Sequence, residues 1–331
     1  MVGAGLQTSQ TAGLALATDE ASAETRPRVV ALMYVMLLLG AVGGSMAFSW
    51  LLADFSPKRL VQVVQGTAMV VLLLNSVALW KQEARNPARA AAMKTEQHLP
   101  FRLVWQRFIA NRQAKRFLWA TGLGTMAFNM QDVVLEPYGG EIMHLSVGAT
   151  SALTALLAGG AMAGFLLAAR VLARGADPLR LAAYGVLAGL PAFSAVIFAA
   201  PLQADDLFRL GALGIGFGGG LFAVGTLYAA MRMEDGGFVG LALGAWGAVQ
   251  SVAAGLAMFL GGALRDLVSG LAAEGALGAA LIDPATGYSF VYHVEMYLLF
   301  VTLIVIGPLV KRVALPVPAP TERTGLADLS G

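Results

Sequence analysis

The chain has 331 residues and a formal net charge of +2, with 13% charged and 57% hydrophobic residues and no Cys. An ordinary soluble domain is about 25% charged, and one water-soluble core cannot hide so many apolar side chains. A soluble globular enzyme, a disordered chain and a disulfide-rich secreted domain are therefore excluded.

The mean hydropathy of +0.70 lies in long runs, which predicts an all-α polytopic membrane protein. A membrane barrel would read as short alternating segments instead. The basic pI reflects where a few charges sit, so no nucleic-acid partner is expected. No secretory signal pattern opens the chain, because no basic stretch precedes the first apolar run.

A membrane span needs about 20 apolar residues. Eight segments qualify, at 29–53, 59–80, 117–135, 148–172, 180–202, 207–231, 238–264 and 288–310. A ninth, 2–18, is too short and reads as the tail of a helix. The stretch GAGLQTSQTAGLALA at 3–17 resembles GGLFAVGTLYAA at 219–230. The spans that follow end in LLAD at 51–54 and ALRD at 263–266, in the same helix order. Parallel repeats of six helices around a long basic loop are the major facilitator architecture. On that register the chain is expected to be an N-terminally truncated twelve-span protein, lacking about 100 residues. Residues 1–80 are then the remnant of the N-terminal half (the end of helix 4, helices 5 and 6) and 117–312 the C-terminal six-helix half.

Between them, 81–116 carries nine basic residues. Phe101, Val104, Trp105 and Phe108 share one face of a helix here, with basic residues elsewhere. Arg102, Trp105, Arg107 and Phe108 are the predicted contacts of an amphipathic helix with the lipid surface. The rival reading is a partner-docking helix. Placing this loop in the cytoplasm puts 18 of the 22 Lys and Arg on the same side, which fixes the expected orientation. The Pro-rich tail, 313–331, is expected to be cytoplasmic and unstructured.

Polar residues inside spans are expensive and mark candidate sites. The richest group is in FNMQDVVLEPYGGEIMH at 128–144. Asn129, Asp132 and Glu136 fall on one helical face, with Gln131 and Tyr138 beside them; Pro137 and Gly139–Gly140 are expected to break the helix. No Lys or Arg lies between Arg116 and Arg170 to neutralise the carboxylates. Two readings stand: a solvated acidic loop, which suits Glu141 and His144, and a polar face turned to a cavity, which suits Asn129, Gln131 and Asp132. A second group, Tyr288, Tyr292, His293, Glu295 and Tyr297, opens the last span. His293 and Glu295 point to different sides of a helix, against a shared metal site. His293 is a candidate axial ligand for a metallated tetrapyrrole, set against the plainer reading of an interfacial aromatic belt.

Gly makes up 15 of the 52 residues from 211 to 262. GIGFGGG at 214–220 lies in a span with no strand before it, so it is no dinucleotide fingerprint. Tight helix packing is the expectation, and Gly240, Gly244 and Gly247 are spaced for it. A flat ligand against such a face would meet Trp246 and Gln250. No nucleophile–base pair or metal set is visible, so no enzyme and no metal site are expected.

Five stretches carry a resemblance to a known family: TAGLALATD at 11–19, RPRVVALMYVMLLLG at 26–40, QDVVLEPYGG at 131–140, GLALGAWGAVQ at 240–250 and PATGYSFVYHVE at 284–295. The chain resembles the PucC/LhaA family, the bacteriochlorophyll-delivery branch of the major facilitator superfamily in purple phototrophic bacteria. The resemblance implies a twelve-span inner-membrane protein of the photosynthetic membrane with a cytoplasmic C-terminus. It implies an assembly factor for light-harvesting complexes, for either core or peripheral antenna. Its expected partners are the bilayer, antenna polypeptides and pigment-synthesis enzymes, and its expected ligand is transiently bound bacteriochlorophyll. A secondary transporter and a pigment-independent chaperone for antenna helices are the alternatives.

Overall fold

The computed structural model describes residues 12–13, 16, 25–51, 56–78, 80, 101–233 and 239–310. Their regular structure is helical, with no strand among the described residues. The helices are α1 (Arg26–Leu51), α2 (Pro57–Ala78), α3 (Phe101–Ala110), α4 (Arg112–Asn129), α5 (Gln131–Glu141), α6 (Val147–Ala173), α7 (Pro178–Leu202), α8 (Asp205–Met231), α9 (Val239–Ala273) and α10 (Thr286–Ile306). The 3–17 repeat element lies largely outside the described residues, and 81–100 and the 313–331 tail lie outside them altogether.

Among the described residues, six helices are long and apolar enough to cross a membrane: α2 and α6 to α10. They coincide with six of the eight expected spans. The protein is an α-helical, multi-pass membrane protein. The 29–53 span falls on α1, and 117–135 falls across α4 and α5.

Local chemistry sets the helix ends. Asn111 accepts from the backbone N–H of Gln113 at 2.8 Å and starts α4. Ser146 caps α6. Asp177 accepts from the N–H of Arg180 at 2.8 Å, with Pro178 in the first turn of α7. The α6–α7 connection is tight because Gly175 takes φ +84°, a conformation that costs Gly little.

α8 is the most enclosed of these six helices, with 67% of its apolar stretch buried. It packs between α6 and α7, and its glycines make that possible. A Cβ on Gly220 would lie 2.5 Å from the Ala161 carbonyl oxygen, and one on Gly218 2.6 Å from that of Gly185. Backbones approach this closely only where side chains are absent. The expected tight packing is made by Gly211–Gly225 of α8 and, on α9, by Gly261. Gly244 carries none of it: a Cβ there meets nothing within 4 Å.

α3 departs from expectation. Phe108 is 6% exposed and packs with Ala114, Ala242 and Ala245, with Trp105 half-buried against the same cluster. The apolar stripe faces α4 and α9 of this chain because small alanines leave room for it there. Arg102 is exposed; the Arg107 side chain lies outside the described residues. α2 has no buried residue.

Candidate functional site

The polar group expected at 129–138 straddles the junction of α4 and α5. The two helices meet at Met130, whose backbone stays helical (φ −65°, ψ −36°) with its N–H bonded to the Met126 carbonyl, and the helix runs on through Pro137 and Gly139–Gly140 to Glu141. The expected break at Pro137 and Gly139–Gly140 is absent: the helix continues through all three residues. Pro lacks the N–H that would bond back to Val133. Gly261 of α9 packs closely on this junction, where a Cβ would lie 2.8 Å from the Met130 carbonyl oxygen.

The junction sorts the polar side chains. Asp132 and Glu136 are exposed and Asn129 is half-buried. Asn129 Nδ2 donates to the Thr125 carbonyl at 2.7 Å, and Thr154 Oγ1 of α6 donates to Glu136. Gln131 turns inward instead. It is 1% exposed, and its Nε2 donates to Asp132 Oδ1. Trp119 (67% exposed), Leu123, Met126, Asn129, Val133 (41% exposed) and Glu136 follow helical spacing along one face. That face of α4–α5 is largely uncovered: apolar along most of its length, with an amide and carboxylates at one end.

Tyr138 is fully buried. Its ring lies 5.4 Å from that of Tyr288, 5.5 Å from Phe208 and 5.6 Å from Tyr292. At the end of α5, Arg265 of α9 reaches Glu141 at 3.1 Å and Asp266 at 2.7 Å, and stacks 4.6 Å over the Tyr288 ring. It also donates to Tyr288 Oη, whose hydroxyl donates to Glu141 Oε2 at 2.5 Å. Glu141 is therefore not part of a free acidic loop. Its cation comes from a residue far along the chain. Glu141 is more than half exposed, and solvent screens such a pair. Arg265→Gln should lower thermal stability in detergent by no more than about 1 kcal/mol. A double-mutant cycle with Glu141→Gln should return most of that loss as coupling.

A cavity of about 900 Å³ opens beside this clamp, lined mainly by apolar side chains with Tyr138, Glu141, His144, Asp283 and His293 among them. His144 sits at φ 53°. His293 is exposed, and its Nδ1 lies 2.6 Å from the Ser289 carbonyl oxygen. A carbonyl can only accept, so Nδ1 carries a proton, and in the neutral ring the lone pair is then on Nε2. Among the described residues no three His, Cys, Asp or Glu are grouped to hold a metal ion.

Trp246 and Gln250 do not join this site. Trp246 is 2% exposed and its indole N–H donates to Thr226 Oγ1 at 3.3 Å, so it is a core side chain holding α9 to α8. Gln250 is half-buried on the same helix. Glu295, grouped from the sequence with the tyrosines of the last span but given no role there, proves to be buried. It is 0% exposed, and its carboxyl lies against the Gln131 backbone. A carboxylate in the span was visible in the sequence, but which way it pointed was not.

Comparison with known proteins fits this architecture. The family model described as PUCC protein matches residues 1–314. A Rhodobacter capsulatus protein described as "Uncharacterized protein in puhA-bchM intergenic region" is 49% identical over 99% of this chain and 69% of its own length. "Protein PucC" of Cereibacter sphaeroides is 48% identical over 94% of this chain and 66% of its own. "Bacteriochlorophyll synthase 44.5 kDa chain" of Rhodobacter capsulatus is 26% identical over 96% of this chain and 72% of its own. The chain spans about two thirds of the length of the relatives it matches. With a family match across nearly the whole sequence and relatives near half identity, the chain belongs to the PucC protein family.

Proposed function

We propose that the protein is an assembly factor for light-harvesting complexes, holding bacteriochlorophyll for transfer to antenna polypeptides rather than turning over a substrate. The carrying observation is the uncovered face of α4–α5. A pigment with a flat macrocycle and a long tail needs apolar area and a single ligand to its metal. Trp119, Leu123, Met126 and Val133 offer the first. Asp132 and Glu136 offer the second, directly or through water, and His293 Nε2 in the neighbouring cavity is the other available base. The name of the bacteriochlorophyll-related relative supports the same ligand class. Gln131 serves this face by orienting Asp132, since its own side chain is buried.

In this reading the fold is that of the major facilitators. Residues 1–80 belong to one half, 81–116 to the central loop and 117–312 to the other half. The uncovered face then turns toward the opposite half. The protein lies in the bacterial inner, photosynthetic membrane with its C-terminus in the cytoplasm. Antenna polypeptides and pigment-synthesis enzymes are its partners.

The test is purification in mild detergent from a bacteriochlorophyll-producing host, followed by far-red absorbance. Bound pigment is expected, and its loss is expected in Asp132→Asn combined with Glu136→Gln. Antenna polypeptides co-purifying without pigment would replace this reading with that of a pigment-independent chaperone. A second reading, a secondary transporter, is favoured by one observation, the buried Glu295 near Asp132. Vesicle uptake of a solute, lost in Asp132→Asn, would support it.

A further inference from the structure

The cavity of about 900 Å³ lies on the far side of α5 from the uncovered face. Tyr138 borders it and Glu136 does not, and residues two positions apart on a helix point about 200° away from each other. Its size is that of a small-molecule site, ~300–1,000 Å³. Ile142 of α5, Pro201 of α7, Val268 of α9 and Phe290 of α10 supply apolar wall, and Leu277 and Leu281 come from the α9–α10 connection. Leu277, Leu281 and Phe290 remain exposed, so the cavity offers apolar surface that this chain leaves open.

The polar groups around it share one character. Glu141, Asp283, His144 and His293 line the cavity, and among the described residues no Lys or Arg does. The Arg265 guanidinium is divided between Glu141 and Asp266, one positive charge against two negative. Among the described residues no ion pair reaches Asp283. Its Oδ1 accepts the Ala285 N–H at 2.7 Å, which leaves its charge without a counterion. His293 gives its Nδ1 proton to the Ser289 carbonyl, so the neutral ring presents an acceptor at Nε2. The last turns of α5 and α7 border the cavity with the negative end of the helix dipole, against one positive end from α10. Tyr138 of α5 and Tyr292 of α10, with rings 5.6 Å apart, keep buried hydroxyls that have no hydrogen-bond partner. Buried polar groups are nearly always satisfied, and Tyr138 is itself part of the cavity wall.

A lining rich in acceptors and free of cations, set over apolar walls, attracts a positive head on an apolar body and repels a carboxylate or phosphate head. Phe290 adds a ring face, to which organic cations are drawn. We infer that this cavity is a binding site for an apolar organic cation, with Asp283 and Glu141 as its charge partners and the walls from α5, α7, α9 and α10 as its seat. The site is separate from the uncovered α4–α5 face and needs no pigment.

The test is binding of tetraphenylphosphonium to the 331-residue chain, purified in neutral detergent from a host that makes no bacteriochlorophyll. Tetraphenylborate is the matched probe, with the same four rings and the opposite charge. Dialysis against detergent alone corrects for partition into micelles. Saturable binding of the cation is expected, with the anion weaker by at least about tenfold, since like charges brought together cost several kcal/mol. Asp283→Asn keeps the acceptor for the Ala285 N–H and loses the charge. It should weaken the cation about fivefold, the worth of one part-exposed ion pair. Glu274→Gln removes a charge at the same end of α9 but outside the cavity lining, and should leave binding unchanged. No saturable cation binding, equal binding of the two probes, or equal effects of Asp283→Asn and Glu274→Gln overturns the proposal. The probes are compared on the unsubstituted chain, so the result does not depend on a variant folding. Pigment is absent throughout, so the assembly-factor reading stands or falls on its own far-red measurement.

Discussion

Gly216→Ala and Gly160→Ala should each prevent the chain from reaching its folded, monodisperse state in detergent. The two residues face each other across the α6–α8 contact. A methyl on Gly160 would overlap the Leu213 carbonyl, and one on Gly216 the Leu157 carbonyl. In both cases the obstacle is backbone, which has no rotamer by which to yield. Overpacking a core where side chains can shift costs about 1–3 kcal/mol, so these substitutions should stand at or above the top of that range. Separating the helices instead would forfeit the contacts along α8, where Gly164 and Gly220 make similar approaches to Phe217 and Ala161. Helices in a bilayer depend on such close packing, because lipid tails are as apolar as their side chains. Gly159→Ala and Gly244→Ala are the controls. A Cβ at either position meets nothing within 4 Å, and each should be neutral or stabilising by about 0.5–1 kcal/mol through helix propensity. Thermal unfolding followed by size-exclusion chromatography separates the pairs. Equal behaviour of Gly216→Ala and Gly244→Ala would refute the packing argument.

These contrasts also mark where the sequence was legible. Span positions depend on composition over some twenty residues, so six apolar helices fell where hydropathy put them. Which glycine meets which backbone depends on the rotation of two helices, and Gly244 has the right spacing but the wrong rotation. The amphipathic stripe of α3 was readable as a pattern. Its partner was not, since Ala242 and Ala245 lie far along the chain. The same holds at the candidate site. Asn129, Asp132 and Glu136 were found from their spacing, because local periodicity decides which side chains share a face. The clamp of Arg265 on Glu141 was invisible, because nothing local announces a cation from another helix. The break expected at Pro137 did not appear, because one missing N–H within a packed helix does not end it. Glu295 was seen in the span but set aside, since its burial follows from how α10 meets α4 and α5.

Tyr138 separates packing from chemistry at this site. Tyr138→Ala should cost about 3–5 kcal/mol, as removal of large buried aromatics does. Three rings, Tyr288, Phe208 and Tyr292, would lose their common neighbour, and a void between packed helices forfeits dispersion contacts on every side. Tyr138→Phe keeps the ring and removes an oxygen that has no hydrogen-bond partner. Leaving a buried hydroxyl unsatisfied is unfavourable, so this variant should be neutral or more stable by up to about 1 kcal/mol. Thermal midpoints in the same detergent give both values. If Tyr138→Phe is as damaging as Tyr138→Ala, the hydroxyl has a partner, and the unsatisfied cluster on α5 and α10 is smaller than described. If it is stable but retains less pigment than the unsubstituted chain, the hydroxyl contacts the cargo through the cavity that Tyr138 lines. Stability and pigment retention both unchanged would make Tyr138 purely a packing residue, leaving Asp132, Glu136 and His293 to carry recognition.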